Sequence, residues 1–115
     1  MTIIYIRPLS VNAGFQGRRF KNKAYKDYET ELLYLLPKPK TMLKGEINID
    51  ITFCLEKKSY AKSDVDNMIK FFIDCLAKRG YFKNDSQIVQ IIATKLLSEK
   101  YCIEFEFNRA SHFRN

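Results

Sequence analysis

Asp64, Asp66, Asn67 and Lys70 fall within seven consecutive positions, and Asp85 follows fifteen residues after Lys70. Carboxylates are hard oxygen donors of the kind Mg²⁺ takes, and a lysine beside them can offset charge on a phosphate. The chain around them is basic: 20 Lys and Arg against 13 Asp and Glu give a formal net charge of +7. An acidic hole in a basic surface is the pattern expected of a site that holds a divalent cation against a phosphodiester, with the remaining surface on the polyanion.

Spacing limits how these acids can meet. Residues two apart on a regular helix point about 200° away from each other, so Asp64 and Asp66 converge only where an extended lead-in turns into a helix. The sequence offers such a junction, with Ser63 or Asp64 as N-cap and an apolar helical period beginning at Val65. The same features have a purely structural account. Aspartates in a first turn gain about 0.3–1 kcal/mol from the helix dipole, Ser63 with Asp66 resembles a capping box, and Asp66 with Lys70 is an i,i+4 pair of about 0.2–0.5 kcal/mol. Asp85 after Asn84 could be a turn former, and Lys70 an ordinary exposed cation. On spacing alone the capping account is the heavier one.

The elements that must position these residues are legible from period and punctuation. Thr2 to Arg7 is β-branched and aromatic and stops at Pro8, a first strand. Tyr25, Tyr28, Leu32, Leu35 and Leu36 recur at helical spacing until Pro37 and Pro39 end the run. Residues 46–55 alternate, with Ile47, Ile49, Ile51, Phe53 and Leu55 on one face. Lys57 to Ser63 reads as a basic loop. Val65, Met68, Ile69, Phe72, Cys75 and Leu76 form the stripe of a second helix, closed by Lys78, Arg79 and Gly80. Gln87 to Leu97 and Tyr101 to Phe107 are strand-like, and the tight Ser98-Glu99-Lys100 connection suggests that they form an antiparallel pair. The expectation is a small single α/β domain of the α+β kind over residues 1–115, in β-α-β-α-β-β order, with a mixed sheet and two helices on one face.

At 115 residues with 46% hydrophobic and 29% charged positions, the chain can bury a core without staples. Cys54, Cys75 and Cys102 are an odd number, widely spread and with only His112 to help, so buried reduced thiols are expected rather than a disulfide framework or a zinc site. No stretch approaches the roughly 18 apolar residues of a membrane span, and Met1 to Arg7 is too short for a signal peptide, so a cytoplasmic protein with no membrane partner is expected. Phosphate contact needs cations displayed beside the site, which favours Arg18, Arg19, Lys21, Lys23, Lys57, Lys58 and Lys62 for DNA binding. Phe15, Phe20 and Tyr60 are candidate base wedges, although loop aromatics more often pack locally.

The run Asp64-Val65-Asp66-Asn67-Met68-Ile69-Lys70, then Asp74, Leu76 and Lys78-Arg79-Gly80-Tyr81-Phe82, then Asn84-Asp85-Ser86-Gln87-Ile88-Val89, closely resembles the signature of the RusA family of Holliday junction resolvases. That pattern is D-x-D-N-x-x-K, a helix closing at Gly-aromatic, and a D-x-x-I/V turn. The resemblance implies a homodimeric endodeoxyribonuclease dependent on Mg²⁺, with Mn²⁺ as a substitute. Such enzymes nick four-way junction DNA symmetrically and are often carried by phages and prophages. Position by position, it puts the metal-binding carboxylates on Asp64, Asp66 and Asp85 and the catalytic lysine on Lys70. Asn67 then orients a neighbouring carboxylate or the turn, and Asp74 is a solvated or supporting group. The basic stretch before the motif is thinner here, since Ser59, Tyr60 and Ala61 separate Lys58 from Lys62. Two rivals are a non-catalytic nucleic-acid-binding module in which the acids only cap a helix, and a metal-dependent nuclease acting on flaps, forks or RNA.

Overall fold

Two hydrophobic periods partition the computed structural model, which describes residues 1–10 and 23–109. The order is β1 (Thr2–Ile4), α1 (Lys23–Leu35), β2 (Ile47–Leu55), α2 (Lys57–Tyr60), α3 (Asp66–Arg79), a short 3-10 helix (Asp85–Gln87), β3 (Ile88–Leu97) and β4 (Cys102–Arg109). The strands form one mixed sheet in the order β1-β4-β2-β3. β2 pairs parallel with β3 and antiparallel with β4, and β4 pairs antiparallel with β1. This is the expected α+β architecture, with a mixed sheet.

Two local expectations need correction. Lys57 to Ser63 is not simply a loop, because its first four residues form α2, a third helix. β3 and β4 are also not paired with each other, since β2 lies between them. Tight hairpins favour Gly, Asn or Asp where φ must be positive, and Ser98-Glu99-Lys100 offers none of these. The connection instead crosses the end of β2, roughly 10 Å between outer neighbours. On the way, Ser98 N–H donates to the Leu55 carbonyl at 2.9 Å.

The alternation of β2 decides which face is covered. Ile49, Ile51 and Phe53 stand in register with Phe107, Phe105 and Ile103 of β4, and this side carries the core. Phe72 of α3 meets Phe53 and Phe105 edge-on at 6.2 and 5.4 Å, and Phe71 receives Tyr25 and Tyr28 of α1 at 5.1 and 5.6 Å. Leu32, Leu36, Met68, Phe72, Cys75 and Leu76 are all at most 1% exposed. Truncating Phe72 to Ala should therefore cost about 3–5 kcal/mol. The opposite face carries Asp50, Thr52, Glu104 and Glu106, together with Cys54 opposite Cys102. All three cysteines are free and buried, as their spacing suggested. No helix among the described residues is long and apolar enough to cross a membrane.

Candidate active site

α3 places the acidic motif at its N-terminal end. The helix begins at Asp66, its N-cap is Val65, and no side chain caps it. The first turn closes through backbone alone: Asn67 N–H donates to the Asp64 carbonyl and Met68 N–H to the Val65 carbonyl, both at 3.1 Å. The expectation that Ser63 or Asp64 serves as N-cap is therefore wrong. Neither the Ser63 nor the Asp64 side chain accepts a first-turn N–H among the described residues, so the Ser63-Asp66 capping box does not form. Asp64 and Asp66 are exposed, and neither carboxylate has a hydrogen bond or ion pair among the described residues.

Lys70 also departs from expectation. Its ammonium turns forward along α3 to Asp74 Oδ1 at 3.0 Å and across to Asp85 Oδ2 at 2.9 Å, rather than back to Asp66. The hydrogen bonds it donates to Asp85, then to Asp74, hold its pKa above the ordinary lysine value. The group stays charged at neutral pH. Asp74 was not expected to touch the lysine; its place one turn after Lys70 was the signal that could have shown it.

Asp85 reaches the site because other residues build its turn. Asn84 Oδ1 accepts from Ser86 N–H at 3.3 Å, and Gln87 Oε1 accepts from Asn84 N–H at 3.1 Å. Gln87 Nε2 then donates to the carbonyls of Leu43 and Gly45 at 3.1 and 3.0 Å, which fixes the 3-10 helix against the lead into β2. The Asp85 carboxylate is thereby free of turn duty and available to Lys70. Asn84-x-x-Gln87 is the spacing of a capping box and could have been read from the sequence, whereas the anchoring of Gln87 to Leu43 and Gly45 crosses more than forty residues and could not.

Asp66, Lys70 and Asp85 line one cleft of about 300 Å³ between α3 and the start of β3, with Ile69, Ile73, Ile88 and Ile91 as its apolar walls. Asp64 lies outside these walls. Among the described residues the one trio of metal-ligand atoms within 4.8 Å of one another is Cys54, Cys102 and Glu104, so the three aspartates stand wider than a closed cage. Uncompensated carboxylates repel, and Mg²⁺ keeps several waters, so an open set of oxygen donors still suits it. The donor chemistry fits a hard divalent cation.

The candidate DNA contacts divide. Lys57, Lys58 and Lys62 are exposed on α2 and the turn after it. Lys23 is exposed but pairs with Asp27 at 3.2 Å. Arg18, Arg19, Lys21, Phe15 and Phe20 lie outside the described residues. Tyr60 is not a free wedge, because its half-buried ring lies 4.4 Å beneath the Lys95 ammonium.

Comparison with known proteins settles the family. The model for the endodeoxyribonuclease RusA family matches residues 7–106. The chain belongs to the RusA family. It is also 31% identical over 100 residues to a crossover junction endodeoxyribonuclease RusA of Aquifex aeolicus (strain VF5), covering 83% of this chain and 71% of that one. The RusA match spans α1, α3, the 3-10 helix and β3, so every residue of the cleft lies inside it.

Proposed function

We propose that this chain is a Mg²⁺-dependent endodeoxyribonuclease that resolves four-way DNA junctions by paired symmetric nicks. The observation that carries the reading is the cleft: Asp66, Lys70 and Asp85 share it, while Asp64 and Asp66 make no bond among the described residues that would explain them. Family membership supports the nuclease class.

In this reading Asp64, Asp66 and Asp85 hold the cation. Bound there, Mg²⁺ would orient a water, lower its pKa and offset charge developing on the phosphate. Lys70 places a fixed positive charge on the cleft wall, where it stabilises the same developing charge or positions the attacking water. Asp74 gives Lys70 a second counter-ion, so Asp85 can ligate without releasing the ammonium from the cleft. Ile69, Ile73, Ile88 and Ile91 form the apolar walls beside these charges, which remain open to solvent and to an incoming phosphate. Lys57, Lys58 and Lys62, with Lys23 and the cations Arg18, Arg19 and Lys21, supply phosphate contacts at the DNA surface.

A junction with approximate two-fold symmetry calls for two sites related by a two-fold axis, hence a homodimer. β3 is the candidate interface. It is a ten-residue strand at the edge of the sheet, and Val89, Ile91, Ile92, Leu96 and Leu97 are 41–55% exposed along it. A long apolar edge of this kind invites pairing.

The test is a synthetic mobile four-way junction incubated with the protein, with and without Mg²⁺. Paired nicks at symmetric positions, dependent on Mg²⁺, are expected. Equal cutting of duplex, flap and junction would defeat junction selectivity, and binding without any Mg²⁺-dependent cutting would defeat catalysis. A monomer in sedimentation at micromolar concentration would defeat the dimer.

A further inference from the structure

We propose that Lys95 is a positioning residue for the metal-binding carboxylates, acting through the backbone of the loop that delivers them. The inference rests on the assignment of Asp64, Asp66 and Asp85 as metal ligands. Lys95 sits on edge strand β3 in register with Phe53, on the face turned toward the helices. A lysine at such a place needs partners for its charge, and it finds them in backbone carbonyls. Its ammonium donates to the Tyr60 carbonyl at 2.8 Å and the Ser63 carbonyl at 3.0 Å, and rests on the Tyr60 ring.

Those two carbonyls are the ends of one short bridge. Tyr60 closes α2, where helical carbonyls lose their partners, and Ser63 immediately precedes Asp64. The N-terminal end of α3 has no side-chain cap, so no capping group fixes the angle at which residues 63–66 enter the helix. Lys95 supplies that restraint from outside. The strand that carries it begins at Ile88, directly after the 3-10 helix that holds Asp85, so one ammonium ties the lead-in to Asp64 and Asp66 to the strand that continues from Asp85. A second anchor holds α2 itself: the buried Ser59 hydroxyl accepts from Arg7 at 3.2 Å and pairs with the Tyr101 hydroxyl at 2.6 Å. With α2 held there, the free variable is the four-residue step from Tyr60 to Ser63, which is where Lys95 binds.

The experiment compares wild type, Lys95→Met, Lys95→Arg and Asp66→Asn by Mn²⁺ calorimetry without DNA and by Mg²⁺ titration of junction cleavage. In folded Lys95→Met, Mn²⁺ affinity should fall about tenfold, the lower end for a residue that orients metal ligands. The Mg²⁺ concentration for half-maximal cleavage should rise by a similar factor, while cleavage at saturating Mg²⁺ recovers most of its rate. Lys95→Arg keeps a donor that reaches the carbonyls and should restore affinity. A role in stability alone would lower the melting temperature and leave the metal curve of the folded protein in place, and Mn²⁺ affinity within about twofold of wild type would overturn the proposal.

The wild-type protein gives a test that survives a variant that fails to fold. Coupling is reciprocal, so Mn²⁺ must tighten the clamp if the clamp tightens Mn²⁺. Reductive methylation should label Lys95 more slowly than Lys57, Lys58 or Lys62, and Mn²⁺ should slow it further. Labelling of Lys95 that is as fast as theirs, or indifferent to Mn²⁺, sinks the idea. Asp66→Asn separates the two layers of inference: if it binds Mn²⁺ and cuts normally, the ligand assignment fails, and with it the purpose given to the clamp.

Discussion

At the C-terminal end of α3, Gly80 turns the chain in the left-handed region at φ 103°, and its N–H reaches the Leu76 and Ala77 carbonyls at 3.2 and 3.0 Å. Tyr81 N–H adds a bond to Leu76 O at 3.1 Å, Arg79 Nε donates to the Leu36 carbonyl at 2.9 Å, and Lys78 pairs with Glu29. The N-terminal end of the same helix has no side-chain cap, two exposed carboxylates without partners among the described residues, and a lysine drawn away from Asp66. One end is closed by the features that stabilise helices. The other leaves polar groups uncommitted where capping would have used them. Local rules are expected to fail at functional sites and hold elsewhere, and here the boundary falls within fourteen residues of one helix.

The comparison is broken most directly at Asp66. If its carboxylate ligates metal, Asp66→Asn should remove several kcal/mol of transition-state stabilisation, on the order of a 10³-fold loss of junction cleavage. Stability should change by no more than the roughly 0.3–1 kcal/mol of a first-turn charge. Cleavage assays beside a thermal melt check both, and a lower melting temperature with intact cleavage would return Asp66 to a structural role. Lys70→Ala comes next, at about 10²-fold in cleavage. Asp74→Asn should cost less, because Lys70 retains Asp85.

At the other end the effects reverse in kind. Gly80→Ala puts a Cβ 3.9 Å from Pro39 Cγ, an ordinary contact, so the penalty is conformational. A non-glycine residue in the left-handed region costs about 1–2 kcal/mol. That corresponds to roughly 4–8 °C of melting temperature per kcal/mol for a small domain. Cleavage per folded molecule should stay at the wild-type level. A Gly80→Ala protein that melts normally but cuts poorly would show that the two ends are not separable.

Both ends were visible in the sequence to different depths. Gly80 after Lys78-Arg79 announces its own geometry, because the C′ position selects for the residue type. The alternation of β2 and the stripe of α3 were legible for the same reason: period records burial. Asp64 and Asp66 were equally visible, but spacing leaned toward a cap, and only the missing side-chain bond to the first turn speaks against it. Lys70 could have paired backward or forward along the helix, and position alone does not say which. Asp85 needed Gln87 to place it, and the Lys95 contacts cross more than thirty residues, beyond what local pattern encodes. Sheet order failed likewise, since the chain between β3 and β4 is short whether or not β2 lies between them.

The smallest effect belongs to Lys78, and it sharpens the boundary. The hydrogen bond to Glu29, ahead of an opposing burial cost, holds its ammonium above the ordinary lysine value of 10.5. A raised lysine pKa contributes stability that is complete below the unfolded value and is lost as pH climbs through the folded one. The Lys78 side chain is 51% exposed, so screening keeps the pair under about 1 kcal/mol. Lys78→Met should thus melt slightly below wild type at neutral pH, and the difference should close as pH rises past that range. Lys78 also lines a cleft of about 380 Å³ on the α1 side of α3, together with Asp74 and Asp85. If Lys78→Met leaves the melt unchanged and weakens junction binding, this cleft lies on the DNA path. The functional surface would then run along α3 to its closed end, and the contrast between the two ends would describe the backbone alone.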